Sequence, residues 1–217
     1  MTFYSQDKQD RFVDSICKGY ENGVVVDVGA FDGEIFSNSL FFEQSRGWKA
    51  VCIEPIPIVF KKLVERRPNA INVNVACSDT NGSADFVMNS GGTTMLSGLY
   101  KEFDQRHHAR VKCENNMVGN LGTTIVCSVP TRTLQSILDE NNITHVNYLS
   151  IDVEGAEWSV LKGIDFDKTF IDIIGFENNY QDTSIPIVKW LQEKGFSVIQ
   201  RSLDIFMINK KSQFINK

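Results

Sequence analysis

VVVDVGAFDG, from Val24 to Gly33, is the stretch of this sequence that decides the fold. Its valines predict a buried parallel strand, and Asp27 is expected at the carboxyl end, where open α/β sheets bind ligands. Gly29 and Gly33 let the backbone approach a ligand closely. Because Phe31 replaces the middle glycine of the dinucleotide motif G-x-G-x-x-G, the stretch indicates a cofactor with a ribose and no pyrophosphate. Glycines kept only for strand-turn-helix packing are the alternative.

Composition bounds the class of protein. The chain has 217 residues and is 42% hydrophobic, which predicts a single domain, residues 1–217. A net charge of -5 gives no reason to expect a nucleic-acid partner. The five cysteines are odd in number and lack C-x-x-C spacing, so a reducing cytoplasm is expected. We expect no membrane partner, because no signal core or spanning run is present; the oligomeric state stays open.

Strands and helices alternate along most of the chain, which predicts a parallel sheet with right-handed crossovers. After the first strand, the predicted strands are Lys49 to Glu54, Ile71 to Asp79, Val146 to Ile151 and Ile171 to Phe176. Helices are expected before Gly19, from Gly33 to Gly47, after Pro55, after Thr131 or Thr133, after Gly155, and from Ser184 to Gly195. The last two runs, Phe196 to Gln200 and Asp204 to Asn209, are too close for a crossover and predict an antiparallel hairpin.

The alternation breaks between residues 82 and 130, where two short β-like pieces flank a polar stretch without a clear period. A long segment of this kind inside one domain is often functional, so it predicts a lid or substrate-binding insertion over the cofactor edge of the sheet. A disordered surface loop is the alternative.

Seven motifs occur in a fixed order along the chain: SQDKQD, VVVDVGAFDG, CIEP, ACSD, TLQSIL, SIDVEGAEWSVLKG and GFENN. Together they resemble the FkbM-like family of S-adenosylmethionine-dependent methyltransferases. The resemblance implies a Rossmann-like α/β fold with a mostly parallel seven-stranded sheet and a C-terminal antiparallel hairpin. It also implies O-methyl transfer to a hydroxyl of a sugar, a glycan or another small metabolite. Residues 91–121 match no motif of the family.

The predicted cofactor site follows the strand ends. Glu54 is placed for the two ribose hydroxyls, because a carboxylate accepts both hydrogen bonds; an acid that caps the next helix is the alternative. Ser78 and Asp79 are expected at the adenine, although they also suit a turn. The methionine end is assigned to Asp27, Gly29 and Gly33. The SQDKQD motif adds Gln9 and Asp10 as further candidates, which a solvated first helical turn explains equally well.

The predicted acceptor site rests on Asp152 and Glu177, which end neighbouring strands and crowd two acids together. In one mechanism, Asp152, Glu177 and Asn178 bind Mg²⁺, which activates the acceptor hydroxyl. In the other, a carboxylate with a raised pKa or a histidine of the insertion, His107 or His108, is the general base. Glu154 lies in the same motif and suits either the site or a helix cap.

Two other protein classes stay open at this stage. A nicotinamide-dependent oxidoreductase is disfavoured by the missing glycine and the terminal hairpin. A non-catalytic module that keeps the fold and the cofactor is disfavoured by the acids at each strand end. Outside the site, Lys61, Lys62, Arg66 and Arg67 are predicted to form a solvated basic face.

Overall fold

The computed structural model describes residues 1–117, 122–201 and 203–215, so residues 118–121 of the predicted insertion lie outside the described residues. The helices are α1 (Gln9–Cys17), α2 (Leu40–Arg46), α3 (Pro57–Arg66), α4 (Gln105–Asn115), α5 (Leu134–Glu140), α6 (Glu157–Lys162) and α7 (Gln181–Glu193). The strands are β1 (Val24–Val28), β2 (Lys49–Ile53), β3 (Ile71–Val73), β4 (Ala76–Cys77), β5 (Gly82–Asn89), β6 (Gly98–Leu99), β7 (Thr124–Arg132), β8 (His145–Ile151), β9 (Phe170–Glu177), β10 (Phe196–Arg201) and β11 (Asp204–Asn209).

The main sheet has seven strands in the order β10-β11-β9-β8-β1-β2-β3. Strands β3, β2, β1, β8 and β9 are parallel, and β11 runs antiparallel between β9 and β10. The predicted mostly parallel sheet with a C-terminal hairpin is therefore confirmed. From β1 the chain adds β2 and β3 on one side of the sheet, and later adds β8 and β9 on the other side, so the strand order reverses at β1. Open α/β sheets bind ligands at such a switch point.

The period of two along β1 divides its side chains between the two faces of the main sheet. Val26 and Val28 join one core cluster together with α5, α6 and α7, while Val25 joins the other with Phe41 and Phe42 of α2. Helices thus cover both faces of the sheet, as a buried parallel sheet requires.

The predicted third strand, Ile71 to Asp79, is wrong in one respect. Only Ile71–Val73 pairs with the main sheet, whereas Ala76–Cys77 pairs with β7 in a second sheet. Two residues separate these strands, and the Asn74 side chain donates to the Glu54 and Pro55 carbonyl oxygens at 2.8 and 3.1 Å. This side-chain bonding turns the chain from one sheet into the other.

Residues 82–130, which we call the insertion, contain more regular structure than the sequence indicates. Strand β5 pairs antiparallel with β7 over its whole length, and together with β4 and β6 they form a four-stranded sheet in the order β4-β7-β5-β6. Helix α4 and two short 3-10 helices, Gly91–Leu96 and Tyr100–Glu102, complete its described part. In the part of the chain that the structure describes, no helix has the length and apolar character needed to cross a bilayer.

The last helix also differs from the prediction. It begins at Gln181 rather than near Ser184, so Pro186 lies inside α7. Pro186 is the sixth residue of α7, beyond the first four whose N–H groups have no helical partner, so it removes one hydrogen bond from the helix.

Candidate active site

A cavity opens at the carboxyl ends of β1, β2, β8 and β9. Its floor includes Asp27, Val28 and Gly29 of the β1 end, and its sides include residues 53–56 and 152–154. Residues 92 and 94–99 of the insertion, with Arg110 and Glu114 of α4, line the opposite wall. The cavity therefore lies at the switch point, between the main sheet and the insertion.

The two glycines of the first loop serve different contacts. Gly29 lines the cavity with φ +89°, and a Cβ there would lie 1.9 Å from the Asp152 carbonyl oxygen. Gly33 has φ +79°, and a Cβ there would lie 2.6 Å from Leu63 and 2.7 Å from Arg67. Gly29 thus lets the ends of two strands meet at the cavity. Gly33 instead makes room for the side chains of Leu63 in α3 and Arg67 just after it, and not for a ligand.

Asp27 is 2% exposed and lines the cavity, and its Oδ2 has no hydrogen-bond partner among the described residues. It is the fourth of the five residues of β1, at the predicted carboxyl end. Burial raises the pKa of Asp27, and hydrogen bonding from Ser39, the charge of Arg67 and the backbone of Asn38 oppose that rise. A buried acid that lines a cavity and keeps one oxygen without a partner among the described residues fits the cationic end of a ligand.

Glu54 directly follows β2 and is also buried against the cavity. Its Oε1 accepts from the Ile56 N–H at 2.7 Å and its Oε2 accepts from the Phe31 N–H at 3.2 Å. Both predicted roles are thus compatible with its position, because each carboxylate oxygen can accept a second hydrogen bond. Burial raises the pKa of Glu54 to about 8.

The two residues predicted at the adenine do not line the cavity. Ser78 is half-buried and Asp79 is exposed beyond the end of β4, and the Ser78 hydroxyl faces Asp79 at 3.4 Å. The residues that line the cavity here are Val75, Ala76 and Cys77. The prediction missed this because it continued one strand to Asp79 in the main sheet, whereas β4 belongs to the second sheet.

The SQDKQD motif reaches the cavity through a different residue. Gln6 lines it, whereas the Gln9 side chain donates to Asp204 at 2.7 Å. Asp10 is fully buried and accepts from the Ser5 hydroxyl at 2.6 Å and from the Tyr4 N–H at 2.6 Å. Asp10 therefore fixes the N-terminal segment, and neither it nor Gln9 lines the cavity.

Three acids converge on the acceptor side of the cavity. Carboxylate oxygens of Asp152, Glu154 and Glu177 all lie within 4.8 Å of one another. The pairing of β8 with β9 brings Asp152 close to Glu177, as expected from neighbouring strand ends. Burial, reinforced by repulsion from neighbouring acids, raises the pKa of each of the three.

Asp152 is the acid of this cluster that is exposed to the cavity. The side chain of Glu154 is 7% exposed and meets the Asn179 amide at 3.2 Å and the Arg110 guanidinium at 3.8 Å. Asn178, predicted with the metal ligands, instead accepts from the Ser184 hydroxyl at 2.7 Å. The oxygen-rich set brought together is therefore Asp152, Glu154 and Glu177, and the positive φ of Glu154 that turns it inward is not visible in the sequence.

Neither histidine of the insertion lines the cavity. His107 Nε2 lies 3.1 Å from the Leu96 carbonyl oxygen and His107 Nδ1 lies 3.3 Å from Glu154 Oε2. Because the carbonyl only accepts, Nε2 carries the hydrogen of that bond, and Nδ1 faces the Glu154 carboxyl. His108 packs its ring on Phe103, with ring centroids 5.2 Å apart. The expected placement of a histidine beside the acceptor is therefore not found.

The sheet order and the cavity define the chain as a Rossmann-like methyltransferase fold. The family model described as "Methyltransferase FkbM domain" matches residues 27–198, most of the chain. The chain therefore belongs to the FkbM methyltransferase family. A comparison with curated proteins found no match.

Two solved structures agree with this fold. The METTL16 MTase domain is 10% identical with a TM-score of 0.50, over 91% of this chain and 64% of that chain. A second crystal form is 14% identical with a TM-score of 0.52, over 94% of this chain and 66% of that chain. This chain thus spans slightly less than two thirds of those domains. A precorrin-6y C5,15-methyltransferase from Geobacter metallireducens GS-15 is 10% identical with a TM-score of 0.46, over 92% of this chain and 84% of that chain.

Proposed function

We propose that the chain is an S-adenosylmethionine-dependent O-methyltransferase that acts on a hydroxyl of a sugar, a glycan or another small metabolite. The observation that carries the proposal is the cavity, which joins a buried acid with an unpaired oxygen, Asp27, to an acid exposed to the cavity, Asp152. The preference for a sugar comes from the family resemblance.

The described residues fit the cofactor in three places. The spare oxygen of Asp27 suits the methionine ammonium, and Glu54 suits the ribose hydroxyls. Gly29 presents backbone without a side chain at the floor between them. When bound, S-adenosylmethionine supplies a sulfonium methyl group and leaves as the neutral thioether S-adenosylhomocysteine.

In the proposed mechanism, Asp152 accepts the proton of the acceptor hydroxyl as the oxygen forms its bond to the methyl carbon. The site loses one positive charge when the sulfonium becomes a thioether, and it loses one negative charge when Asp152 is protonated. Its net charge is therefore unchanged, which favours the reaction in a cavity of low dielectric. Residues 92 and 94–99, together with α4, would cover the acceptor as a lid.

The proposed activity is tested by calorimetry and by product release. We expect S-adenosylhomocysteine to bind and NAD not to bind, because no glycine-rich pyrophosphate loop is present in the sequence. Incubation with S-adenosylmethionine and a panel of glycosides and alcohols should then release S-adenosylhomocysteine. Binding of NAD alone would favour the oxidoreductase, and binding of S-adenosylhomocysteine without turnover on any acceptor would favour a non-catalytic module.

The acid cluster supports a second mechanism for the same reaction. Asp152, Glu154 and Glu177 offer three hard oxygen ligands within the reach of one divalent cation, such as Mg²⁺, which would lower the pKa of the acceptor hydroxyl. Under the general-base mechanism, we expect EDTA to leave turnover unchanged. Loss of turnover in EDTA, with recovery when Mg²⁺ is added in excess, would replace that mechanism with the metal-dependent one.

A further inference from the structure

Arg67 is buried, contrary to the prediction of a solvated basic face. Its side chain is 1% exposed and ranks among the largest fully buried side chains of the described residues. Its Nε donates to Glu43 Oε2 at 2.7 Å, and its Nη2 meets the same oxygen. Burying a guanidinium is costly unless its donors are used, so its remaining contacts indicate what it does.

The third nitrogen of Arg67 faces the loop behind the cavity. Nη1 lies 3.1 Å from the Gly33 carbonyl oxygen, 3.3 Å from Ser37 Oγ and 3.2 Å from Ser39 Oγ. The stem of Arg67 passes so close to Gly33 that a Cβ there would collide with it. One arginine therefore joins the end of α3, the glycine loop and the start of α2.

Ser39 connects this arginine to Asp27. The Ser39 hydroxyl is fully buried and accepts from Arg67, so its own hydrogen points elsewhere. Ser37 Oγ at 3.4 Å and Cys52 Sγ at 3.8 Å are weak acceptors at long range. Cys52 is the β2 register partner of Asp27, which places the Asp27 carboxyl on the same side as the Ser39 hydroxyl and offers it a stronger acceptor. Hydrogen bonding from Ser39 has the largest effect that lowers the pKa of Asp27.

Asp27 needs this support because it is an acid in a buried site. The pKa of Asp152 is raised in part by the charge of Asp27, so the two carboxyls repel each other when both are ionised. Burial itself disfavours the ionised carboxyl. The positive charge of Arg67 and the hydroxyl of Ser39 oppose these effects.

We infer that Arg67 is a positioning residue which, through Ser39, keeps the Asp27 carboxylate ionised and fixed toward the cavity, so that Asp27 binds the ammonium group of the cofactor. The inference rests on the proposed function, since it needs the cofactor in this cavity. Arg67 does not itself line the cavity, so its effect on binding has to pass through other residues.

The binding of two ligands, one with and one without the amino-acid group, distinguishes this role from a general contribution of Arg67 to the stability of the fold. S-adenosylhomocysteine carries the amino-acid group, and 5′-methylthioadenosine has the same nucleoside and sulfur without it. In Arg67→Met and in Ser39→Ala, calorimetry should show at least about a tenfold loss of affinity for S-adenosylhomocysteine, the scale of a lost charge-assisted hydrogen bond. Affinity for 5′-methylthioadenosine, measured by competition where it binds weakly, should stay within about twofold.

Arg66→Met is the matched control. Arg66 is the adjacent arginine, its side chain is 37% exposed and its partners are Asp32 and Glu34, so neither affinity should change. Equal losses for both ligands in Arg67→Met and Ser39→Ala would overturn the inference and leave Arg67 a purely structural role. If Arg67→Met does not fold, unchanged S-adenosylhomocysteine affinity in Ser39→Ala overturns it. If the unmodified chain binds no S-adenosylhomocysteine, the cofactor proposal itself fails, and the inference fails with it.

Discussion

Turnover is expected to fall at least about tenfold when Asp152 is replaced by asparagine, while S-adenosylhomocysteine affinity and the melting temperature stay close to those of the unmodified chain. Asparagine keeps the size of the side chain and cannot take the acceptor proton. Steady-state kinetics and calorimetry on the same preparations measure both quantities. Asp139→Asn, which changes an exposed acid outside the cavity, is the control and should leave turnover unaltered.

The pH profile gives the same prediction a second measurement. Because desolvation inside the cavity, reinforced by the neighbouring acids, raises the pKa of Asp152 to about 7, its basic form is lost as the pH falls through that value. The unmodified chain should therefore slow about tenfold for each pH unit well below 7 and level off above it. The Asp152→Asn variant should show no such rise. An identical profile in the two proteins would remove Asp152 as the base.

Replacement of Gly29 by alanine is expected to abolish S-adenosylhomocysteine binding and to lower the free energy of unfolding by roughly 3 kcal/mol or more. The new Cβ would lie 1.9 Å from the Asp152 carbonyl oxygen, which belongs to backbone and cannot rotate away. The ends of β1 and β8 would have to separate, and the floor of the cavity would move with them. Urea unfolding and calorimetry measure the two effects.

Gly195 provides a matched control for this substitution. Its φ is +96°, close to the +89° of Gly29, but a Cβ there meets nothing within 4 Å. Gly195→Ala should cost only the backbone strain, about 1 kcal/mol, and should keep ligand binding. If the two alanine variants unfold at the same urea concentration, close approach of the strand ends is not the reason for glycine at position 29.

Much of the sheet could be predicted because its strands carry local signals. The valines of β1 and the short spacing between β10 and β11 are sufficient to predict a parallel core and a terminal hairpin. The proximity of Asp152 to Glu177 also follows, since both acids end strands that are consecutive in the parallel series. In these cases, the local sequence pattern and the topology of the sheet predict the same position for each strand and each acid.

The errors arise where distant residues decide the outcome. The split of Ile71 to Asp79 depends on pairing with Thr131 and Arg132, more than fifty residues away. Arg67 follows Lys61, Lys62 and Arg66 in sequence, and nothing local shows that it alone turns inward onto Glu43. The inward direction of Glu154 depends on a left-handed backbone conformation that its residue type does not indicate.

The two ends of the insertion lie side by side, because Ser83 where the chain enters is paired with Pro130 where it leaves. A segment with adjoining ends can be lengthened, shortened or exchanged without disturbing the layer beneath it. We therefore expect selectivity for acceptors to be transferable by grafting this segment between relatives, with the methyl-donor half of the molecule left intact.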